Sequence, residues 1–374
     1  MKLILFANTD WYLYNFRRSL AVTLRDAGHD VLLISPNGPY GEKLRALGLS
    51  WQPLPMNRRS LNPLREAALL WHLVRLLRRE HPDLVHGFTI KCAVYGSLAA
   101  RLAGVPARVN AVAGMGYVFI SDSLKARVLR PMVRALLKLS LGGSNARLIL
   151  QNPDDVALFE HAGLVNISQV RLIPGSGVDC SRFAPGPARV PGDRLRVLLP
   201  ARLLWDKGLA EYVQAASILQ ERSVPVDLML AGDPDPGNPA AVPEATVRAW
   251  VEKGLLQWLG HVDDMPALFR SVDVVALPSY REGLPKGLIE AGASSCALIA
   301  TDVPGCREVV THEVDGLRVP VRDGIALASA IERLALDASL RKRLSTAARE
   351  KAIAQFDERI VVARTIDVYN ELVP

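Results

Sequence analysis

The chain has 374 residues, of which 49% are apolar and 22% are charged. This length suits about two domains, and the composition excludes a collagen, a coiled coil and an intrinsically disordered chain. No uninterrupted apolar stretch reaches about 18 residues, so no membrane-spanning helix is expected.

The net charge of +7 is unevenly distributed along the chain. Residues 1–180 hold 22 lysines and arginines against 12 aspartates and glutamates, whereas residues 181–374 hold 23 against 26. The first half therefore carries +10 and the second half −3. A basic first half indicates an anionic partner, either a nucleic acid or an anionic lipid surface.

The N-terminal segment MKLILFANTD contains one lysine and a short apolar run, followed by Asn8 and Asp10. A signal peptide needs a longer apolar region and a small-residue cleavage site. We therefore expect this segment to be the first β-strand of a cytoplasmic protein. The four cysteines show no CxxC or Cys/His metal spacing, and we expect them to be reduced, buried thiols.

Short apolar runs alternate with helical patterns along nearly the whole chain. A first group of strands is predicted at Leu3–Ala7, Asp30–Ile34, Leu84–His86, Arg108–Val112, Arg147–Gln151 and Val170–Ile173. A second group is predicted at Arg196–Pro200, Asp227–Ala231, Val274–Leu277, Leu298–Ala300 and Gly316–Val319. The amphipathic helices between them include Arg17–Ala27, Pro63–Glu80, Ser123–Leu141, Leu209–Gln220, Gly324–Leu336 and a last helix at Ile360–Leu372.

This alternation predicts an α/β protein with parallel sheets covered by helices on both faces. Eleven strands are too many for one ordinary open sheet. The segment Phe183–Arg194 holds three prolines and two glycines without apolar periodicity, which is typical of an interdomain linker. The predicted parts are a domain at 1–182, a linker at 183–194, a domain at 195–357 and a returning helix at 358–374. Ligands of such sheets bind at the carboxyl ends of the strands.

The segment LPSYREGLPKGLIEAGASSC, residues 277–296, carries the densest chemical pattern. A strand ends at Pro278, and Pro285 suits the first turn of a following helix. Gly283 lets the backbone approach a ligand closely. The N–H groups of Gly283 and Leu284, together with the positive end of the helix, form a potential anion site. The carboxylate of Glu290 can accept two hydrogen bonds from vicinal ribose hydroxyls.

Both glutamates of this segment also have ordinary structural explanations. Glu282 can be a first-turn carboxylate that stabilises the helix dipole, and Glu290 can be a solvated surface charge. Seven residues separate them, and Gly-Leu-Pro follows the first directly. This arrangement favours a binding function.

A second segment, LLPARLLWDKG at residues 198–208, places two cations after a strand. Arg202 supplies a planar fork and Lys207 a point charge, and such a pair can hold a diphosphate. The alternative is a solvated loop with ordinary surface cations. Asp263 and Asp264 are adjacent rather than spaced, and they are interpreted as the N-cap of a short helix.

The stretch from Glu282 to Glu290 resembles the E-x7-E signature of retaining nucleotide-sugar glycosyltransferases of family 4. ARLLWDKG resembles the phosphate-holding segment of that family, and Gly260-His261-Val262 resembles its loop beside the nucleotide base. The segment Asp302–Gly305 resembles its next strand-end loop. The resemblance implies the GT-B fold, in which two Rossmann-like, doubly wound domains face a cleft and the C-terminal helix crosses back to the first domain.

The resemblance also implies roles for individual residues. Arg202, Lys207 and Glu282 would form the catalytic group, in which the two cations hold the donor diphosphate and Glu282 contacts the sugar hydroxyls. The implied nucleotide-binding residues are Gly283, Leu284, Glu290, Gly260, His261 and Val262. No Asp-x-Asp motif stands in a donor loop, so no metal or other cofactor is expected.

In the first half, FANTDWYLYNFRRSLA, NRRSLNP and AVAGMGYVFI resemble segments of bacterial transferases that extend sugars on undecaprenyl diphosphate. Many family members have a Gly-Gly loop after the first strand and a histidine after the fifth. This chain has Asn8-Thr9-Asp10-Trp11 and Ala113-Gly114-Met115-Gly116 instead. The candidates for a first-domain site are Asp10, His86, Lys91, Gly114 and Gly116. The alternative for His86 is a strand-end histidine bonded to backbone.

Two helical patterns in the first half combine arginines with apolar residues, and such helices suit anionic membrane surfaces. The predicted membrane-facing residues are Arg75, Arg78, Arg79, Arg127, Arg130, Arg134 and Lys138. The alternative is a solvated face on a helix that packs on the core. Nucleic acid is disfavoured because no recognised binding motif occurs and aromatic residues make up only 6% of the chain.

The resemblance, with the basic first half beside it, implies a retaining glycosyltransferase on the cytoplasmic face of the bacterial inner membrane. It would move a sugar, expected to be a HexNAc with GalNAc as one candidate, from a UDP-sugar to an undecaprenyl-diphosphate-linked saccharide. Protein glycosylation and polysaccharide biosynthesis are the expected settings. The alternatives are a nucleotide-sugar epimerase of GT-B fold and a non-catalytic sugar- or nucleotide-binding protein. The sequence leaves the donor sugar, the linkage and the oligomeric state open.

Overall fold

The computed structural model describes residues 1–57, 60, 62–112, 124–187 and 194–373. These residues form two compact units. Unit 1 comprises Met1–Gly177 and Arg359–Pro374, and unit 2 comprises Val178–Glu358. Each unit contains its own parallel sheet with helices between the strands, which confirms the prediction of two Rossmann-like, doubly wound domains.

The division between the units falls between Gly177 and Val178, ahead of the predicted boundary at residue 182. The reason is that Val178, Cys180 and Phe183 are buried in the hydrophobic core of unit 2. Residues 188–193 of the predicted linker lie outside the described part of the chain.

The sheet of unit 1 has seven described strands in the order β3-β2-β1-β4-β5-β6-β7, and all neighbours are parallel. They are β1 Lys2–Phe6, β2 Asp30–Ser35, β3 Ser50–Pro53, β4 Leu84–Phe88, β5 Ala107–Ala111, β6 Ala146–Leu150 and β7 Val170–Leu172. Leu3, Ile4, Leu5 and Phe6 have no exposed surface. Such a continuous apolar run is typical of a parallel strand that is covered on both faces.

The helices of unit 1 connect these strands. Before the C-terminal segment they are α1 Asp10–Tyr12, α2 Arg18–Asp26, α3 Gly41–Ala46, α4 Pro63–Glu80, α5 Ile90–Ala103, α6 Leu124–Leu141 and α7 Pro153–His161. A π-helical turn at Leu13–Arg17 joins α1 to α2, and a 3₁₀ turn at Ile167–Gln169 precedes β7. The start of α4 follows from its sequence, because the Asn62 side chain caps two backbone N–H groups and Pro63 occupies the first turn.

Unit 2 has six described strands, all parallel, in the order β10-β9-β8-β11-β12-β13. They are β8 Leu195–Pro200, β9 Val226–Ala231, β10 Gln257–Gly260, β11 Val274–Leu277, β12 Ala297–Thr301 and β13 Leu317–Val319. The helices of this unit are α8 Leu209–Glu221, α9 Glu244–Glu252, α10 Met265–Arg270, α11 Lys286–Ala293, α12 Cys306–Val309, α13 Gly324–Leu336 and α14 Ala338–Phe356. A 3₁₀ turn at Trp205–Lys207 precedes α8.

Two strands, β3 and β10, escaped the sequence prediction, and both are edge strands of four residues. β3 contains Ser50, Gln52 and Pro53, and proline in a sheet is confined to edges, strand starts and bulges. β10 shifts register against β9 between Trp258 and Gly260. The other two edge strands, β7 and β13, were predicted, so the edge position alone does not explain the omission. β3 and β10 lack the continuous buried apolar run that makes the central strands recognisable in sequence.

The last helix, α15 Glu358–Asn370, packs in unit 1, which confirms the expectation that the C-terminal helix returns to the first domain. Val361, Val362, Val368 and Tyr369 are buried in the same hydrophobic cluster as residues of β1, β2 and β4. The Tyr369 hydroxyl lies 2.6 Å from Nδ1 of His86. The C-terminal helix therefore completes the core of the first domain.

The four cysteines are free and buried, as expected from their spacing. Burial raises the pKa of the Cys92 thiol to about 12 and that of Cys180 to about 11. The thiols are therefore protonated at neutral pH, which disfavours both oxidation and metal binding.

The burial of His86 predicts a pH dependence of folding stability. Burial, with a smaller contribution from Arg17, holds the pKa of His86 well below its usual range, whereas the unfolded chain binds a proton near about pH 6.5. The stabilising contribution of a neutral buried histidine is present above the unfolded pKa and is lost as the pH falls through it. We expect the urea midpoint to fall between about pH 7.5 and about pH 5.5 more steeply in the wild type than in His86→Gln. Parallel slopes in chemical denaturation would contradict this assignment.

Candidate functional site

The carboxyl edge of the unit 2 sheet gathers most of the predicted site residues. All six strands are parallel, so their carboxyl ends meet at one edge, where such sheets bind ligands. Arg202 and Lys207 follow β8, His261 follows β10 and Glu282 follows β11. The loops after different strands contact one another closely, and these contacts fix the geometry of the site.

The turn after β8 is held against the loop after β11. Gly208 has a φ of +74°, and a Cβ atom at this position would collide with the carbonyl of Pro278, so only glycine is compatible with the contact. The Tyr280 N–H donates to the Asp206 carbonyl over 2.9 Å. These contacts place the side chain of Lys207 beside the loop that carries Glu282.

Lys207 and Glu282 form an ion pair. Lys207 Nζ donates to Glu282 Oε1 over 2.5 Å, and the two side chains are only 21% and 13% exposed. The loop after β12 contacts the backbone of Glu282. The Glu282 N–H donates to the Pro304 carbonyl over 3.3 Å, and a Cβ atom on Gly305 would lie 2.6 Å from the Glu282 carbonyl oxygen. The glutamate is therefore fixed through its backbone as well as through its carboxylate.

Arg202 is paired in the same way with a residue that the sequence prediction missed. Its Nη1 donates to Asp235 Oδ2 over 2.7 Å, and Asp235 also accepts from the Asn238 side chain over 3.0 Å. The Arg202 side chain is 62% exposed, whereas that of Asp235 is 15% exposed. Backbone hydrogen bonds from Leu203 to Asp233 and from Val242 to Leu203 join the loops after β8 and β9. The position of Asp235, shortly after β9, was the sequence signal that could have identified it.

Helix α11 begins at this edge without a side-chain cap on its N-terminus. Gly283 and Leu284 lie in the loop just before it, and Glu290 lies inside it. Burial raises the pKa of Glu290, and the ammonium of Lys286, 3.6 Å away, opposes this shift. Glu290 is thus a shielded carboxylate rather than a solvated surface charge.

The Gly260-His261-Val262 segment follows β10. The Gly260 carbonyl accepts from the Gly232 N–H over 2.8 Å, which joins the loops after β9 and β10. His261 Nδ1 lies 2.7 Å from Asp233, and Nε2 lies 3.3 Å from Asp263. The hydrogen bond to Asp233 is the main reason that the pKa of His261 is raised.

A partly buried pair, Tyr280 and Glu211, lies at the same edge, and sequence reasoning missed it. The Tyr280 hydroxyl donates to Glu211 Oε1 over 2.8 Å, and the other carboxylate oxygen of Glu211 is buried without a hydrogen bond. Burial, with a smaller effect of Glu211, raises the pKa of Tyr280 to about 12. Tyr280 lies within the LPSYREGLP segment, but Glu211 lies in no motif, and their proximity arises from the packing of α8 beside the loop after β11.

The candidates of the first domain are engaged in structural contacts. The Asp10 carboxylate accepts from the N–H groups of Trp11, Tyr40 and Gly41 over 2.7–3.0 Å. It therefore joins the loops after β1 and β2.

Lys91 donates to Glu66 over 2.8 Å and to the carbonyls of Asn57 and Ser60. The prediction that His86 lies at a strand end is wrong, because β4 extends to Phe88 and His86 is fully buried against Tyr369. Gly114 and Gly116 lie outside the described residues.

The predicted membrane-facing residues on α4 are exposed. Arg75, Arg78 and Arg79 are on its surface, and the same helix exposes 61% of Trp71 and 82% of Leu64. On α6, Arg134 and Lys138 are exposed, and Arg134 donates to the Ala162 carbonyl. The side chains of Arg127 and Arg130 lie outside the described part of the structure. Within that part, no helix is long and apolar enough to cross a membrane.

Two family models match the chain, and together they cover most of both units. "Glycosyl transferase 4-like" matches residues 2–152, and "Glycosyl transferases group 1" matches residues 194–337. The second match contains every predicted catalytic and nucleotide-binding residue.

Two curated relatives are similar over most of their length. The chain is 28% identical over 372 residues, covering 96% of each protein, to the N,N'-diacetylbacillosaminyl-diphospho-undecaprenol alpha-1,3-N-acetylgalactosaminyltransferase of Campylobacter jejuni. It is 27% identical over 333 residues, covering 86% of this chain and 83% of the relative, to the UDP-Gal:alpha-D-GlcNAc-diphosphoundecaprenol alpha-1,3-galactosyltransferase of Escherichia coli. LPSYREGLP and ARLLWDKG resemble the first of these enzyme types.

Solved structures establish the fold. The structure of Anabaena HepE in complex with UDP matches with a TM-score of 0.82 at 20% identity, covering all of both chains. Sucrose-phosphate synthase from Thermosynechococcus elongatus also matches with a TM-score of 0.82, at 21% identity. The solved structures confirm the GT-B fold, whereas the two family models and the relatives that match over most of their length confirm the prediction of an enzyme: the chain belongs to the family 4 glycosyltransferases.

Proposed function

We propose that this glycosyltransferase transfers a sugar, with retention of configuration, from a UDP-sugar to a saccharide linked to undecaprenyl diphosphate. The observation that carries the proposal is the convergence of Arg202, Lys207, Glu282 and the N-terminus of α11 on one edge of the unit 2 sheet. Two relatives that match over most of their length are named for diphosphoundecaprenol-linked acceptors, and these names support the acceptor class.

The two cations and the helix terminus suit a departing nucleoside diphosphate. As the bond to the sugar breaks, negative charge grows on the leaving phosphate oxygens. Positive groups that are already in place stabilise this charge without reorganisation, and one such donor contributes about 2.7–4 kcal/mol. Arg202 and Lys207 supply that charge themselves, so a divalent cation is not part of the proposal.

Glu282 and Glu290 would hold the two sugars of the donor. Glu282 is fixed beside Lys207, so its carboxylate can accept hydroxyls of the transferred sugar next to the diphosphate. Glu290, on the adjacent helix, would accept the ribose hydroxyls, and the Gly260-His261-Val262 loop would contact the base.

The transferred sugar is proposed to be a HexNAc, with GalNAc as the first candidate. The name of the Campylobacter relative supports GalNAc, whereas the Escherichia relative is named for galactose. The corresponding settings are protein glycosylation and polysaccharide biosynthesis. Acceptor-dependent UDP release across a panel of UDP-sugars tests this choice directly.

We also propose that the enzyme binds peripherally to an anionic membrane through α4. Trp71 and Leu64 are exposed apolar side chains on a helix that also exposes three arginines. Aromatic and aliphatic insertion combined with arginine contacts to lipid phosphates is typical of interfacial helices. An acceptor with an undecaprenyl tail is presented at such a surface.

Removal of either cation of the proposed diphosphate site is expected to reduce transfer. Arg202→Ala and Lys207→Ala should lower turnover at least about tenfold, because each removes a positive charge that stabilises the leaving diphosphate. The matched control is Arg222→Ala, which removes a surface arginine of unit 2 that pairs with Glu332. UDP release from UDP-sugar and a lipid-diphosphate saccharide measures the effect. Wild-type turnover in both site variants would refute the assignment.

Donor binding is expected to depend on the ionisation of Glu290. Because burial raises the pKa of Glu290, this carboxylate should take up a proton at a higher pH than an ordinary glutamate. Protonation removes acceptor capacity for the ribose, so KM for the UDP-sugar should rise as the pH falls through this pKa. Glu290→Gln should show a high KM without that dependence. An equal pH profile in both proteins would exclude Glu290 from ribose binding.

Membrane binding is expected to require α4. Charge reversal by Arg75→Glu should weaken binding to vesicles that contain anionic lipid by about 30-fold. It replaces an attraction of about 1 kcal/mol by a repulsion of similar size. Trp71→Ser should weaken it at high salt as well, because apolar insertion is not screened. Arg222→Glu in unit 2 is the control with the same charge change. Vesicle sedimentation that is equal for all three variants would remove α4 from the interface.

A further inference from the structure

Arg17 is a buried cation without an anionic partner among the described residues. Its side chain lies at the end of the π-helical turn Leu13–Arg17, and the residue is only 5% exposed. Nη2 donates to the Tyr12 hydroxyl over 3.2 Å, whereas Nε is buried without a hydrogen bond. Nη1 makes no hydrogen bond within the described part of the chain. A charge in this position is costly unless a partner compensates it.

The aromatic rings around Arg17 offset only part of this cost. The guanidinium carbon lies 4.4 Å from the centre of the Phe88 ring and 5.7 Å from that of Tyr12. Such cation–π contacts are attractive but weaker than the pairing of a buried guanidinium with an anion. The rings contact the guanidinium but supply no negative charge to balance it.

Phe88 leads directly into the N-terminus of α5, and this terminus has no side-chain cap. The residue at the cap position is Thr89, whose hydroxyl oxygen is buried without a hydrogen bond. Gly87 permits the close packing, since a Cβ there would lie 2.9 Å from the carbonyl oxygen of Cys92. The positive end of a 14-residue helix therefore begins at Ile90, two residues after the phenylalanine whose ring Arg17 contacts.

From this juxtaposition we propose that Arg17 and the N-terminus of α5 form a phosphate-binding site at the carboxyl end of β4. Lys91, the cation in the first turn of α5, is directed away because Glu66 and two carbonyls bind its ammonium. The site is distinct from the proposed donor site, which lies in unit 2. Its chemistry fits a phosphate group that carries an organic substituent or the end of a diphosphate.

The identification of the ligand rests on the proposed function. For a transferase that extends lipid-linked saccharides, the phosphate is that of the acceptor, so Arg17 would bind the diphosphate between lipid and sugar. A phospholipid headgroup offers the same chemistry from a second source. The test therefore measures binding of a soluble isoprenyl diphosphate and of vesicles separately.

The test is calorimetric titration of geranyl diphosphate into the full chain in a Lys207→Ala background with excess UDP, so that unit 2 does not compete. Arg17→Met should raise the Kd about tenfold or more, because it removes a charge-assisted pair at nearly constant volume. Arg17→Lys should recover only part of the affinity, since it keeps the charge without the planar fork. The matched control is Arg18→Met, which removes the neighbouring arginine that contacts Tyr14. Equal affinity of Arg17→Met and the parent protein would overturn the proposal.

Thermal stability separates ligand binding from a structural role. If Arg17 serves to bind an anionic ligand, Arg17→Met should keep or raise the Tm of the ligand-free protein, because the substitution removes an uncompensated buried charge. A lowered Tm together with unchanged geranyl diphosphate binding would show a structural role and overturn the proposal. Binding to anionic vesicles should be the same for Arg17→Met and wild type. A loss confined to vesicles would assign the arginine to headgroups and also overturn it.

These measurements read binding and stability rather than transfer. Absence of transfer to any lipid-diphosphate saccharide would count against the proposed function, yet weaker binding of geranyl diphosphate to Arg17→Met would still establish the phosphate site. Conversely, transfer that proceeds with an unchanged acceptor KM in Arg17→Met would leave the proposed function standing and remove this site. The two failures are therefore distinguishable.

Discussion

The close contact between Gly208 and Pro278 is the constraint on which the unit 2 site depends. It joins two loops that follow neighbouring strands, β8 and β11, and it is possible only without a side chain at residue 208. Lys207 precedes the glycine, and Glu282 follows Pro278 by a few residues. The ion pair between them is thus a consequence of backbone packing rather than of two flexible side chains that meet at a surface. The loops after β9 and β12 contribute the same kind of support through Gly232 and Gly305.

Each cation of this site is neutralised by a carboxylate within the protein. Arg202 pairs with Asp235 and Lys207 with Glu282, so neither charge stands alone before a ligand arrives. A diphosphate carries more negative charge than one carboxylate and can therefore compete for both cations. In the proposed donor site, the internal partners would orient the two long side chains toward the diphosphate. Arg17 in unit 1 differs, because no described carboxylate pairs with it.

The sequence predicted the doubly wound architecture because the central strands are buried on both faces and read as apolar runs. It did not predict β3 and β10, because β3 contains polar residues and a proline and β10 has no fully buried residue and a register shift. Local motifs singled out Glu282, Glu290 and the two cations, and the structure places them at the carboxyl edge of one sheet, whereas their roles stay predictions. Asp235, Tyr280 and Arg17 were missed because their importance arises from partners in other loops. His86 was placed at a strand end because the sequence around it does not reveal that a helix residue 283 positions away covers it.

The C-terminal helix α15 supplies part of the core of the first domain, although about 180 residues of another domain stand between them in the chain. During synthesis, the sheet of unit 1 leaves the ribosome long before Val361, Val368 and Tyr369 are translated. Until then its apolar face beside His86 is uncovered and open to chaperones or to association with other nascent chains. The core of the first domain is therefore complete only once the end of α15, with Val368 and Tyr369, has been synthesised.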